Sequence, residues 1–128
     1  MKLLSPRLHS YVDYTAVVLL ALAPLVLRLD PVPASACYVA ALVHFIVSLL
    51  SDHPLGASGK IPLPVHGALE LVLGAGLLAA PWLLGFSAPG PARTFFVAAG
   101  VALVILAVST RMMAGAAARP SRYDRYDR

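Results

Sequence analysis

Residues 8–27 read LHSYVDYTAVVLLALAPLVL, and this stretch decides the fold. It is apolar over roughly the ~20 residues that a helix needs to cross the ~30 Å hydrocarbon core of a bilayer. His9 and Asp13 lie one helical turn apart near its start, and Pro24 lies near its end. The same arrangement recurs 57 residues later in VHGALELVLGAGLLAAPWLL, residues 65–84, which indicates an internal duplication.

The duplicated positions carry the same kinds of side chain. The pairs are His9 with His66, Asp13 with Glu70, and Pro24 with Pro81. Each repeat is predicted to be a hairpin of two helices, with repeat one at about 8–51 and repeat two at about 64–112. Since both hairpins would enter the membrane from the same side, we expect parallel repeats related by an axis along the membrane normal.

The composition of the whole chain agrees with a membrane protein. Hydrophobic residues make up 59% of the 128 residues and charged residues only 12%, against about 25% charged in ordinary soluble domains. A soluble domain of this size could not bury so much apolar surface, whereas a lipid bilayer solvates it. Lipid is therefore the predicted partner, and the length suits one domain over residues 1–128.

Four apolar runs are predicted to be transmembrane helices, and turns rich in proline and glycine separate them. The predicted helices cover about 8–27, 34–50, 64–86 and 92–112, and a polar tail follows over 113–128. Pro24 and Pro81 lack an N–H and are predicted to kink helices one and three. The predicted fold class is an all-α, four-helix membrane protein.

Ala80-Pro81-Trp82, followed by LLGFS, resembles the signature of the SPW-repeat proteins, which are small bacterial integral membrane proteins. Their repeat is a pair of transmembrane helices with Ser-Pro-Trp in the first. This chain has Ala80 in place of the serine, and the first repeat has Ala23-Pro24-Leu25. The resemblance extends over about 8–112 and implies a four-helix, multi-pass protein of the bacterial inner membrane. It implies no established biochemical activity.

Two carboxylates within the predicted helices are the most informative residues. An ionised carboxylate inside a membrane helix costs about 2.5–3.5 kcal/mol, so Asp13 and Glu70 should face the interior of the bundle and have partners. His9 precedes Asp13 by four residues, and His66 precedes Glu70 by four. Residues at this spacing share one helix face. We expect the four side chains to converge near the inner leaflet, where His44 could join them.

Three interpretations of this cluster remain open. In the first, the protein is structural or accessory, binds no cofactor, and uses hydrogen bonds between histidine and carboxylate to lock its helices together. In the second, His9, Asp13, His66 and Glu70 bind zinc or iron. A haem held by His9 and His66 is disfavoured by the carboxylate one turn away. In the third, the same residues form a proton or ion path.

Other classes of function find little support in the sequence. It lacks a phosphate-binding loop, a nucleophile elbow and a zinc-protease motif, so we expect no enzyme. Few basic residues lie outside the predicted helix ends and the tail, which argues against nucleic-acid binding. His53 is expected to be a solvated residue of the loop after helix two. Association into a homo-oligomer or a larger membrane complex stays open.

The distribution of lysine and arginine predicts that both termini are cytoplasmic. That topology places eight of the ten basic residues inside and leaves only Arg28 and Arg93 outside, as the positive-inside rule requires. Reporter fusions after Arg128 and at Gly56 should therefore both report the cytoplasm. A periplasmic signal from either fusion would overturn the orientation.

Overall fold

Four helices account for nearly all the regular structure of the chain. The computed structural model describes residues 5–117, and the helices are α1 (Pro6–Val26), α2 (Pro31–Leu50), α3 (Leu63–Leu83) and α4 (Pro91–Ala117). Each contains a stretch of 19 to 21 residues that is long and apolar enough to cross a membrane. The predicted all-α, four-helix fold is confirmed over the described residues, while residues 118–128 of the predicted tail lie outside them.

Helices α2 and α4 each differ from the sequence prediction at one end by three residues or more. Helix α2 begins at Pro31 rather than at residue 34, because the first turn of a helix leaves its N–H groups without intrahelical partners and so accepts proline. Helix α4 continues to Ala117 rather than ending at residue 112. Its extension is rich in alanine, which has the highest intrinsic helix propensity.

Helices α1 and α3 have the same length and the same C-terminal geometry. Each has 21 residues, and their bounds are offset by the 57 residues that separate the repeats. After each helix one residue has positive φ, Arg28 at 51° and Gly85 at 80°. The next N–H then bonds back to the proline carbonyl, at 3.0 Å for Leu29 and 2.9 Å for Phe86. This is the six-to-one bond of a Schellman motif.

The left-handed residue also explains why α3 ends at Leu83 and not at residue 86 as predicted. Pro24 and Pro81 are both buried and lie in the last turn of their helices. Their carbonyls accept the Schellman bonds, so each proline takes part in ending its helix. The predicted kink stays a prediction.

The apolar core fills the bundle between the C-terminal ends of α1 and α3 and the opposite end of the molecule. It contains Leu20 and Ala23 from α1, their repeat counterparts Leu77 and Ala80 from α3, and Phe96 from α4. Helices α1 and α3, the first helices of the two repeats, therefore bury equivalent faces. Cys37 of α2 is also fully buried in this core.

Helices α3 and α4 pack backbone against backbone at a pair of glycines, Gly74 and Gly100. A Cβ atom on Gly100 would lie 2.6 Å from Leu78 Cγ and 2.8 Å from the Gly74 carbonyl oxygen. Small residues where two membrane helices meet allow such close backbone contact, and this contact supplies van der Waals attraction between the helices. By contrast, a Cβ atom on Gly76 would meet nothing within 4 Å.

The two glycines should therefore respond differently to alanine. Gly100→Ala should destabilise the protein by about 1–3 kcal/mol, because the added methyl group forces α3 and α4 apart. Gly76→Ala is the matched control, since it adds the same methyl group to a membrane helix without a clash. Thermal unfolding in detergent measures both. Equal stability of the two variants would contradict the close packing at Gly100.

Candidate metal centre

The buried polar side chains all collect at one end of the bundle. Among the described residues they come from the starts of α1 and α3, from the end of α2, and from the residue that follows α2. They are His9, Ser10, Asp13, His44, Ser48, Ser51, His66 and Glu70. The two first helices of the repeats begin at this end, and α2 ends there, so three short stretches that are distant in sequence become neighbours.

Four of these residues form a compact group of possible ligands. The Nε2 atom of His9 lies 3.6 Å from Asp13 Oδ2 and 3.7 Å from Glu70 Oε2. The Nε2 atom of His66 lies 3.3 Å from the same Asp13 oxygen and 3.7 Å from the same Glu70 oxygen. One donor atom from each residue falls within 4.8 Å of all the others. The structure thus brings together the four residues that the duplication singled out.

The other two histidines of the chain face the same aspartate. His44 Nε2 lies 3.9 Å from Asp13 Oδ1, and His53 Nε2 lies 3.8 Å from Asp13 Oδ2. The chain contains four histidines, and all four therefore direct Nε2 at one carboxylate. The side chains of all five residues are at most 1% exposed.

The expectation that His53 is solvated was wrong. The loop after α2 folds back over the helix ends, because the Asp52 N–H bonds to the Ile61 carbonyl at 2.9 Å and the Ile61 N–H to the Leu50 carbonyl at 3.0 Å. This return path places the His53 ring 5.7 Å from the ring of His66. Helical periodicity does not extend into a loop, so the sequence offered no signal for this position.

Two serines that sequence reasoning missed hold histidines of the cluster. Ser51 Oγ lies 2.7 Å from His66 Nδ1, and Ser10 Oγ lies 2.9 Å from His53 Nδ1. Ser10 follows His9 directly, and Ser51 directly follows the end of α2. For Ser10, the position beside the predicted ligand His9 was the available signal. A tyrosine also ties the loop down, since the Tyr14 hydroxyl donates to the Leu55 carbonyl at 3.0 Å.

The distances around Asp13 are longer than those of good hydrogen bonds. Good N–H···O hydrogen bonds measure about 2.7–3.2 Å, and the four contacts between histidine Nε2 atoms and Asp13 span 3.3–3.9 Å. Among the described residues, neither Asp13 oxygen has a hydrogen-bond partner, and the same holds for His66 Nε2. Buried polar atoms without partners are rare in folded proteins and need an explanation such as a bound ion or water.

The fold and the site together define a class: a small multi-pass membrane protein, built from two helical hairpins, with a buried polar centre at one end. The family model of the SPW repeat domain matches residues 7–110, and the chain therefore belongs to that family. The resemblance seen in the sequence is confirmed. Neither the curated proteins nor the solved structures include a significant match to this chain.

Proposed function

We propose that this protein binds one divalent transition-metal ion, with Zn²⁺ preferred, through His9, Asp13, His66 and Glu70. The observation that carries the proposal is the set of four separations, from 3.3 to 3.7 Å, between two histidine nitrogens and two carboxylate oxygens that are all buried. The ion would join the two repeats at the end of the bundle where both first helices begin.

The four nitrogen–oxygen separations are close to the edge length of a tetrahedron around zinc. Zinc binds histidine nitrogen and carboxylate oxygen at about 2.0–2.2 Å, which places neighbouring ligands of a tetrahedral site about 3.3–3.6 Å apart. An octahedral site with similar bond lengths needs neighbouring ligands at about 3.0 Å. Two nitrogens and two oxygens at the measured distances therefore favour a tetrahedral ion. Iron is the alternative occupant, because imidazole also suits that metal.

The charge of the group supports the same conclusion. With neutral imidazoles, the ionised carboxylates of Asp13 and Glu70 give the group a charge of −2. Each ionised carboxylate within a membrane helix costs about 2.5–3.5 kcal/mol without compensation. Around Asp13, the basic residues within 4.0 Å in the described part of the chain are histidines. A divalent cation would neutralise both carboxylates at once.

The hydrogen-bonded lock is the second candidate, and the distances count against it. A strong lock needs a histidine N–H within about 2.7–3.2 Å of a carboxylate oxygen. The contact of His66 with Asp13, at 3.3 Å, is just beyond the long end of that range, and the other histidines lie 3.6–3.9 Å from Asp13. Protonation of the histidines would supply positive charge in the absence of metal. The lock is thus the state expected if protons, and no metal ion, compensate the charge of the carboxylates.

An ion path through the membrane receives less support than a binding site. The buried residues between the centre and the opposite end of the described bundle are apolar, among them Leu20, Leu77, Cys37 and Phe96. Ion and proton pathways require a succession of polar or ionisable groups. A catalytic role is also disfavoured, because four protein ligands complete the coordination sphere of a tetrahedral ion and leave no open position for substrate.

Elemental analysis of protein purified without an affinity tag tests the proposal. We expect about one zinc ion per chain in the wild type. The His9→Gln/His66→Gln double variant should contain none, because glutamine lacks the imidazole nitrogen through which neutral histidine binds zinc. Glutamine still forms hydrogen bonds, so a simple lock would survive this change in part.

A charge-matched control separates the carboxylates of the centre from other acidic residues. Asp13→Asn/Glu70→Gln should also lose the metal, whereas Asp30→Asn/Asp52→Asn removes two exposed carboxylates and should keep it. A wild-type protein that remains folded and takes up no zinc or iron, even after reconstitution with excess metal, would overturn the proposal in favour of the lock.

A further inference from the structure

The segment that joins the two hairpins contacts the proposed metal centre through two residues. Residues 51–62 link α2 to α3, and backbone hydrogen bonds fold them back on the end of α2, including one of 2.7 Å from the Ala57 N–H to the Leu49 carbonyl. Ser51 and His53 of this segment contact His66 and Asp13 respectively. Neither is among the four residues whose donor atoms converge.

The hydrogen bonds of Ser51 determine which nitrogen of His66 carries the proton. A serine hydroxyl has one hydrogen to donate, and Ser51 donates it to the Val47 carbonyl. Ser51 Oγ must therefore accept its second hydrogen bond, of 2.7 Å, from the Nδ1–H of His66. In the neutral ring this leaves Nε2 unprotonated, with its lone pair directed at Asp13. That is the form of histidine that binds a metal through Nε2.

The hydrogen bonds of His53 select the opposite tautomer. The Leu55 backbone N–H, which can only donate, bonds to His53 Nδ1 at 3.3 Å, and the Ser10 hydroxyl lies 2.9 Å from the same nitrogen. Nδ1 is therefore an acceptor, and the proton of the neutral ring resides on Nε2. The neutral ring points its Nε2–H at Asp13.

We propose that Ser51 and His53 are positioning residues of the metal centre, which make the linker between the repeats its outer shell. Ser51 holds His66 in the tautomer that offers Nε2 to the ion. His53 faces Asp13 Oδ2 with its Nε2–H from 3.8 Å, beyond hydrogen-bond distance, and acts on that carboxylate electrostatically without binding the ion. The inference rests on the proposed metal-binding function and adds that two histidines at similar distances from Asp13 have different roles.

Outer-shell partners of this kind orient the ligands and raise their basicity, and their loss typically lowers metal affinity 10–100-fold. Loss of a true ligand removes the site. The four histidines are therefore distinguishable by experiment even though all face Asp13. The duplication also supplies a control, because Ser109 of α4 donates to the Ile105 carbonyl at 2.9 Å, as Ser51 does to Val47, without contacting a histidine.

Competition between the full-length protein and a chelator for Zn²⁺ measures the affinities. Ser51→Ala should bind zinc 10–100-fold more weakly than the wild type, while Ser51→Thr restores the acceptor and the affinity, and Ser109→Ala leaves it unchanged. His53→Ala should weaken binding to a similar degree and still take up one ion, whereas His66→Gln should take up none. Substitution by Co²⁺ should give the intense visible absorption of a tetrahedral ion in His53→Ala.

Two results of these titrations would overturn the inference while the proposed function stands. One is wild-type affinity in both Ser51→Ala and His53→Ala. The other is complete loss of metal in His53→Ala, which would make His53 a ligand. If the wild type itself binds no metal, the proposed function fails instead, and the two failures are thus distinct.

The tautomers are measured independently of metal by ¹⁵N NMR of the metal-free protein labelled at histidine, with signals assigned from the His53→Gln and His66→Gln variants. We expect the proton of His66 on Nδ1 and that of His53 on Nε2. Ser51→Ala should alter the tautomer of His66 and leave that of His53 unchanged. The same tautomer in both rings of the wild type would contradict the inference whether or not the protein binds metal.

Discussion

A carboxylate within a membrane helix must be neutralised or paired, and the arrangement around Asp13 follows from this constraint. An ionised group in the hydrocarbon region is expensive, so Asp13 is fully buried and is surrounded by every histidine of the chain. Three helix ends and a loop must meet to provide those histidines. The rest of the bundle is an apolar scaffold that lets them meet, with a close helix contact at the glycine pair Gly74 and Gly100.

The centre is built from a duplication, yet it is not symmetric. Each first helix supplies a histidine and a carboxylate at equivalent positions, and both first helices end in the same Schellman geometry. The further groups come from repeat one and the linker, namely Ser10, His44, Ser51 and His53. With the offset of 58 residues that relates Ser51 to Ser109, the counterpart of His44 is Ala102, which is exposed on α4. Duplication thus accounts for the four proposed ligands, and differences between the two repeats account for their surroundings.

This division suggests how a site between repeats acquires its properties. Four proposed ligands from two helices bring together two carboxylates and two imidazoles, the kinds of donor that a divalent transition metal prefers. Orientation of those ligands depends on groups that need not be duplicated, because each acts on one ring or one carboxylate. The linker is well placed for this task, since it lies beside both first helices and is tied to α1 by Tyr14.

The sequence by itself determined the four membrane helices, the duplication and the pairing of His9 with Asp13 and of His66 with Glu70. These features follow from hydrophobic length, from a fixed offset and from helical spacing, all of which are local or periodic. The tertiary structure alone decided that His53 and Ser51 reach the centre, and that the contacts around Asp13 are longer than good hydrogen bonds. Loop paths and the distances between helices depend on contacts remote in sequence, and no periodic pattern encodes them.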